Sequence, residues 1–113
     1  MTEIVIHCIP QSGTDAAEVA AELKAYLEAT DGVNPVVVKA EQPHVGLAEV
    51  LAIIQLSSSA IDLTQMLIDF IKSRQDKIKV KDIEVEIDGE RVPIGGLTPE
   101  QRTRLAATIA QET

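Results

Sequence analysis

The chain is poor in aromatic residues and in basic residues. Tyr26 and Phe70 are the only aromatics among 113 residues, and tryptophan is absent. The core must therefore be aliphatic, and modules that stack nucleic-acid bases on aromatic rings are disfavoured. Lys and Arg number 10 against 18 Asp and Glu, which gives a net charge of −8. This negative charge repels phosphate backbones, so we expect no nucleic-acid partner.

Cysteine and histidine are also scarce. Cys8 is the single cysteine in the chain, and His7 and His44 are the two histidines. A single cysteine excludes an internal disulfide, and a metal site needs more ligands at suitable spacing. His7 and Cys8 are neighbours on a predicted strand, so their side chains point to opposite faces and cannot pair. His44 could approach Cys8, but buried free cysteines are usually inert. Ser57–Ser59 lacks the setting of a nucleophilic serine, so we predict no catalytic, metal-binding or cofactor-binding residue.

The most informative stretch is the apolar segment 45–71, which we predict to be helical up to about Arg74. One helix over 46–74 would be roughly 43 Å long at 1.5 Å per residue, whereas a domain of this size is only about 35 Å across. The prediction is therefore a break near Ser57–Ser59, or an apolar end that projects into a partner. The charges of Glu49, Asp62 and Asp69 argue against a membrane span.

The remaining pattern predicts a small α+β fold. Strands are predicted at 3–9, 35–39 and within 78–94, and the other helices at about 15–30 and from 99 onward. The first strand is apolar on both sides, as in a strand covered on both faces. With the following helix and second strand it would form a parallel pair. We therefore predict one domain over 1–113, in the order β-α-β-α-β-β-α, with a four-stranded mixed sheet and helices packed on it.

Several local signals mark the second half of the chain. Asp88–Gly89 predicts a two-residue hairpin that pairs Val85 with Val92. The alternation of apolar residues slips by one at Asp82, which indicates a bulge or a strand break. Pro93 cannot donate to a ladder, so the last strand is expected at an edge. Thr98, followed by proline and then by glutamine at the capping-box position, predicts a helix start.

The middle segment also supplies the candidate interaction residues. Its second half has an apolar face too wide for one neighbour to cover. Half of the basic residues lie within 72–81, where they either complement a helix dipole or form one side of a protein contact. The candidate residues are Leu63, Met66, Leu67, Phe70, Lys72 and Arg74.

Three segments carry a family resemblance: ELKAYLEATDGV (22–33), GLAEVLAIIQLSSSAIDLTQMLIDFIKSR (46–74) and KVKDIEVEIDGERV (79–92). With them the chain resembles the small modules called effector-associated constant component 1, from bacterial conflict and immune systems. The family more often has Trp–Leu–Arg where this chain has Tyr26–Leu27–Glu28 and Phe70–Ile71–Lys72. It has a glycine-rich break where this chain has serines.

The resemblance implies a non-enzymatic adaptor that couples to an effector, such as a caspase-like or trypsin-like protease. It supplies no catalytic residue. Two alternatives stay open: a homodimeric scaffolding domain, and a small ligand binder or thiol enzyme that uses Cys8, His44 or the serine triplet. The sequence begins with an acidic Met1–Thr2–Glu3 and shows no signal peptide, so we expect a cytoplasmic protein that is not inserted in a membrane.

Overall fold

The computed structural model describes residues 2–11, 13–44, 47–56, 62–87 and 89–112. Within them the chain forms five strands and three α-helices. The strands are β1 (Thr2–Pro10), β2 (Val33–His44), β3 (Leu47–Leu56), β4 (Val80–Ile87) and β5 (Glu90–Pro93). The helices are α1 (Ala16–Glu28), α2 (Leu63–Ser73) and α3 (Pro99–Glu112), and a 3-10 turn, Ile94–Gly96, precedes α3.

The strands form one sheet in the order β2-β3-β1-β4-β5, and every neighbouring pair is antiparallel. β1 and β2 run in the same direction, and β3 lies between them. β3 and β4 also run in the same direction, and β1 lies between them. These two split βαβ units make a ferredoxin-like arrangement, extended by β5 and α3. The α+β class is confirmed. The predicted four-stranded mixed sheet and the parallel pairing of the first two strands are wrong.

The element order was wrong because residues 47–56, predicted to be helical, form strand β3. The segment pairs with β1 on one side and β2 on the other. Its buried residues alternate, with Val50, Ala52, Ile54 and Leu56 on one face. The intervening residues are also mostly apolar, and such a run cannot be told from a buried helix by periodicity alone. The predicted break at Ser57–Ser59 lies outside the described residues.

All three helices pack on the same face of the sheet. α1 contributes Val19, Leu23 and Leu27 to the core, and α3 contributes Leu105. The buried residues of α2 are Leu63, Thr64, Met66, Leu67 and Phe70. The structure therefore differs from the expectation that β1 is covered on both faces.

No helix of the described residues is long and apolar enough to cross a membrane.

The local signals of the second half are largely confirmed. Thr98 and Gln101 exchange the two hydrogen bonds of a capping box, at 3.1 and 3.0 Å. β4 and β5 form the hairpin in the predicted register, with Val85 opposite Val92, and β5 is an edge strand. Gly89 adopts φ 85°, a left-handed value suited to glycine, while Asp88 lies outside the described residues. The pairing of β1 with β4 shifts register beside Asp82, where the pattern slipped.

Candidate functional site

The second face of the sheet carries side chains from two neighbouring rows. One row crosses all five strands and consists of Lys39, Leu51, His7, Glu84 and Pro93. In the next row Val37, Ile53 and Val5 lie on β2, β3 and β1, and Glu86 and Arg91 lie on β4 and β5. We call these ten residues, together with the neighbouring Glu3, Glu41, Glu49 and Asp82, the open face.

The β2, β3 and β1 side of the open face is aliphatic. Val5, Val37, Leu51 and Ile53 are half-buried, and none of them belongs to the core cluster that the helices cover. Neighbouring strands lie about 4.8 Å apart, so this aliphatic strip is roughly 10 Å wide from β2 to β1. These side chains lie next to one another and keep part of their surface in water, and contiguous apolar surface marks contact sites when it is large.

The β4 and β5 side of the open face is ionic and centres on His7. Nδ1 of His7 lies 3.1 Å from a carboxylate oxygen of Glu49, and Nε2 lies 2.7 Å from one of Glu86. Ionised carboxylates only accept hydrogen bonds, so two protons must be shared among these three groups. Arg91 donates to Glu49 at 3.1 Å and to Glu84 at 2.9 Å. The network thus joins β1, β3, β4 and β5.

Glu49 and Arg91 adjust each other's ionisation. Burial alone would raise the pKa of Glu49, but the hydrogen bond and charge of Arg91, with the contact from His7, outweigh it and hold that pKa below its usual range. Burial alone would lower the pKa of Arg91, but Glu49 and Glu84 outweigh it and raise the value. Both groups are therefore held in their charged forms, as a fixed ion pair on the sheet surface.

We expect the Glu49→Gln variant to lose part of the acid sensitivity of the fold. A carboxyl whose pKa is lower in the folded than in the unfolded chain stabilises the fold above its unfolded pKa, which is near 4.5 for glutamate. That contribution is lost as the pH falls through the lower, folded value. The free energy of unfolding, measured by urea denaturation near pH 7 and at about pH 3.5, should therefore fall less in the variant than in the wild type.

Glu28→Gln is the control for this measurement. Glu28 is exposed on α1, and its carboxylate makes a long, solvent-exposed contact of 3.9 Å with Nζ of Lys24. This variant should keep the pH dependence of the wild type. The role assigned to Glu49 would be contradicted if Glu49→Gln and the wild type lost the same free energy of unfolding between the two pH values.

The residues considered for chemistry are not brought together in the described part of the chain. Cys8 is fully buried on the helix-covered face, opposite to His7 as the alternation predicted. Burial, with a smaller effect of the Asp82 charge, raises the pKa of Cys8 to about 12, so the thiol stays protonated and unreactive at neutral pH. The side chains of His44 and of Ser57–Ser59 lie outside the description. The described residues include no cluster of His, Cys, Asp and Glu suited to a metal ion.

The predicted interaction residues lie on the helix side of the molecule, away from the open face. Leu63, Met66, Leu67 and Phe70 are at most 7% exposed and pack in the protein's own core, so they leave little surface for a partner. Lys72 is exposed in the last turn of α2.

Arg74 is held by α1. It donates to Glu22 at 3.0 Å, and its guanidinium lies 5.6 Å from the ring centroid of Tyr26. Arg74 therefore joins the two helices to each other, and what surface it leaves free lies at the end of α2.

The open face cannot be recognised from the sequence as long as residues 47–56 are predicted to be a helix. On a helix, Glu49, Leu51, Ile53 and Gln55 would point in different directions, whereas on a strand they share one face. Leu51 and Ile53 on this face are as apolar as the buried residues on the other, so local periodicity gives no signal for it.

The fold and the open face define an α+β protein with a double split βαβ topology and one sheet face free of helices from the described residues. Comparisons with protein-family models, with curated proteins and with solved structures find no match to this chain.

Proposed function

We propose that the protein is a non-enzymatic interaction module, an adaptor that binds another protein through the open face. The observation that carries this proposal is the aliphatic strip, which no helix of the described residues covers, beside a fixed ionic network on the same sheet surface. Burial of exposed apolar surface drives association, while oriented charges beside it select the partner and its orientation. The strip supplies affinity and the network supplies specificity.

Among the reactive groups that the structure describes, the positions of Cys8 and His7 also favour binding over catalysis. Cys8 is buried on the opposite face, and both ring nitrogens of His7 are occupied by carboxylates. An adaptor uses such a network as a rigid pattern of charge and needs no free nucleophile or base. The family resemblance of the sequence directs the proposal to an effector in a bacterial conflict system, such as a caspase-like or trypsin-like protease in the cytoplasm.

The second candidate is a homodimer joined through strand β2. β2 is an edge strand, and Val36 on it is 50% exposed. The register of the β2 and β3 pair shifts between Pro35 and Val37. A proline and a bulge on an edge strand oppose pairing with another strand, so we rank this candidate second. Sedimentation equilibrium distinguishes it, because a homodimer dissociates on dilution.

The proposal is tested with the products of the genes that flank the one encoding this chain. We expect one of them to bind, and we expect Ile53→Thr to weaken this binding at least roughly tenfold by removing apolar contact area. Threonine is well tolerated in strands, so the variant should remain folded, as circular dichroism will check. Isothermal titration calorimetry measures the affinity.

Val36→Thr is the matched control, since it makes the same kind of change on β2 outside the two rows of the open face. It should bind as the wild type does. Unchanged binding by Ile53→Thr would contradict the proposal. So would a loss of binding confined to Lys72→Ala, which would instead place the contact at the end of α2.

A further inference from the structure

We infer that the partner of the open face is an amphipathic helix whose apolar stripe is flanked by Lys and Arg side chains. This inference rests on the proposed function and deepens it by naming the chemistry of the partner. It follows from the dimensions of the aliphatic strip and from the charges that surround it.

The aliphatic strip has the width of one helix. Val37, Ile53 and Val5 lie side by side on three adjacent strands, and Leu51 lies in the next row. Three strands at about 4.8 Å spacing give a strip roughly 10 Å wide, and a helix with its side chains is about 10–12 Å across. The same sheet already receives helices on its other face, so its twist and spacing suit this kind of packing.

Carboxylates border the aliphatic strip on three sides. Glu3 lies at one end of the strands, and Glu41 and Glu49 lie at the other, opposite each other on β2 and β3. Glu84 and Glu86 lie on the side toward β4.

The permanent cations of the open face are already paired within it. Lys39 lies 3.1 Å from Glu41, and Arg91 contacts Glu49 and Glu84. With Asp82 included, the open face carries six carboxyl groups against these two cations, so an excess of negative charge remains even with the second proton that His7, Glu49 and Glu86 share. A ligand with flanking positive charges is therefore complementary to it.

The charge also decides among other occupants of this face. A second copy would bring the same excess of carboxylates against the first. Anionic lipid headgroups and nucleic-acid phosphates would be repelled for the same reason. A helix with Lys and Arg on both sides of an apolar stripe buries the strip and places its cations against the surrounding carboxylates.

The test is a titration of the nitrogen-15-labelled chain with a designed helical peptide of Leu and Lys. Two control peptides have the same length. One contains Leu and Glu and therefore lacks the positive charge, and the other contains Ser and Lys and therefore lacks the apolar stripe. We expect only the Leu and Lys peptide to shift the amide resonances of β1 and β3. Binding should weaken when salt is raised from about 0.1 M to 1 M, as the Debye length falls from about 10 to 3 Å.

Two variants of equal net charge locate the interaction. Glu3→Gln with Glu41→Gln neutralises the two ends of the strip, and we expect it to weaken peptide binding at least roughly fivefold. Glu28→Gln with Glu90→Gln is the control, because both glutamates are exposed and lie outside the open face. It should change the affinity less than roughly twofold.

The peptide experiments would overturn the inference if the Leu and Lys peptide does not bind, if the resonance shifts are confined to residues 72–81, or if both double variants lose affinity equally. A dimer of the chain alone that disappears in Ile53→Thr would also overturn it, in favour of a second copy. If the Leu and Lys peptide fails these tests but Ile53→Thr still weakens binding of a flanking gene product, only the inferred chemistry of the partner is wrong. If Ile53→Thr does not weaken that binding either, the proposed function is wrong as well.

Discussion

Replacement of Phe70 by alanine is expected to lower the free energy of unfolding by about 3–5 kcal/mol. The Phe70 side chain is fully buried, and its ring centroid lies 5.2 Å from that of Tyr26 on α1. Truncation removes this contact and leaves a cavity between α2 and α1. Both helices are packed on the sheet, so they can move only partly into the cavity. Urea denaturation followed by circular dichroism measures the change.

Ile71→Ala is the control for Phe70→Ala, because Ile71 lies on the same helix but is only half-buried at the border of the core. It should lower the free energy of unfolding by about 1–2 kcal/mol. A Phe70→Ala variant that unfolds like the wild type but loses its partner would contradict the core position. That result would return Phe70 to the interaction surface that the sequence predicted.

The parts of the fold that depend on short-range chemistry could be predicted from the sequence. Thr98 and Gln101 are three residues apart and form the capping box that their identities imply. Asp15 caps α1 and accepts a hydrogen bond from the amide of Ala17. The hairpin between β4 and β5 has the register expected from its turn. In each case a few neighbouring residues decide the structure.

The identity of β3 could not be decided in this way. Residues 47–56 are mostly apolar on both faces, because one face joins the core and the other contributes Leu51 and Ile53 to the aliphatic strip. A strand of this kind lacks the polar and apolar alternation that would distinguish it from a helix. Its conformation is set by pairing with β1, whose residues lie more than 40 positions away in sequence.

The ionic part of the open face depends on the same long-range pairing. His7 meets Glu49 and Glu86 across separations of 42 and 79 residues. Nothing in the local sequence of any one of these residues indicates the other two. The wide apolar face of α2 is evident in the sequence, which does not show whether the protein's own core or a partner covers it. In the structure its residues pack inside the protein, in one core with the sheet, and Phe70 and Met66 contact Tyr26 on α1.

The two faces of the sheet should differ in what a truncation costs, and two isoleucines on neighbouring strands test this. Ile6→Ala is expected to lower the free energy of unfolding by about 2–5 kcal/mol, because Ile6 is fully buried between Ala52 and Val85. Ile53→Ala should cost only about 1 kcal/mol, because Ile53 is half-buried and its loss opens no cavity. Urea denaturation at two protein concentrations measures both. Equal losses, or a loss for Ile53→Ala that grows with concentration, would mean that the open face is already covered in the isolated protein.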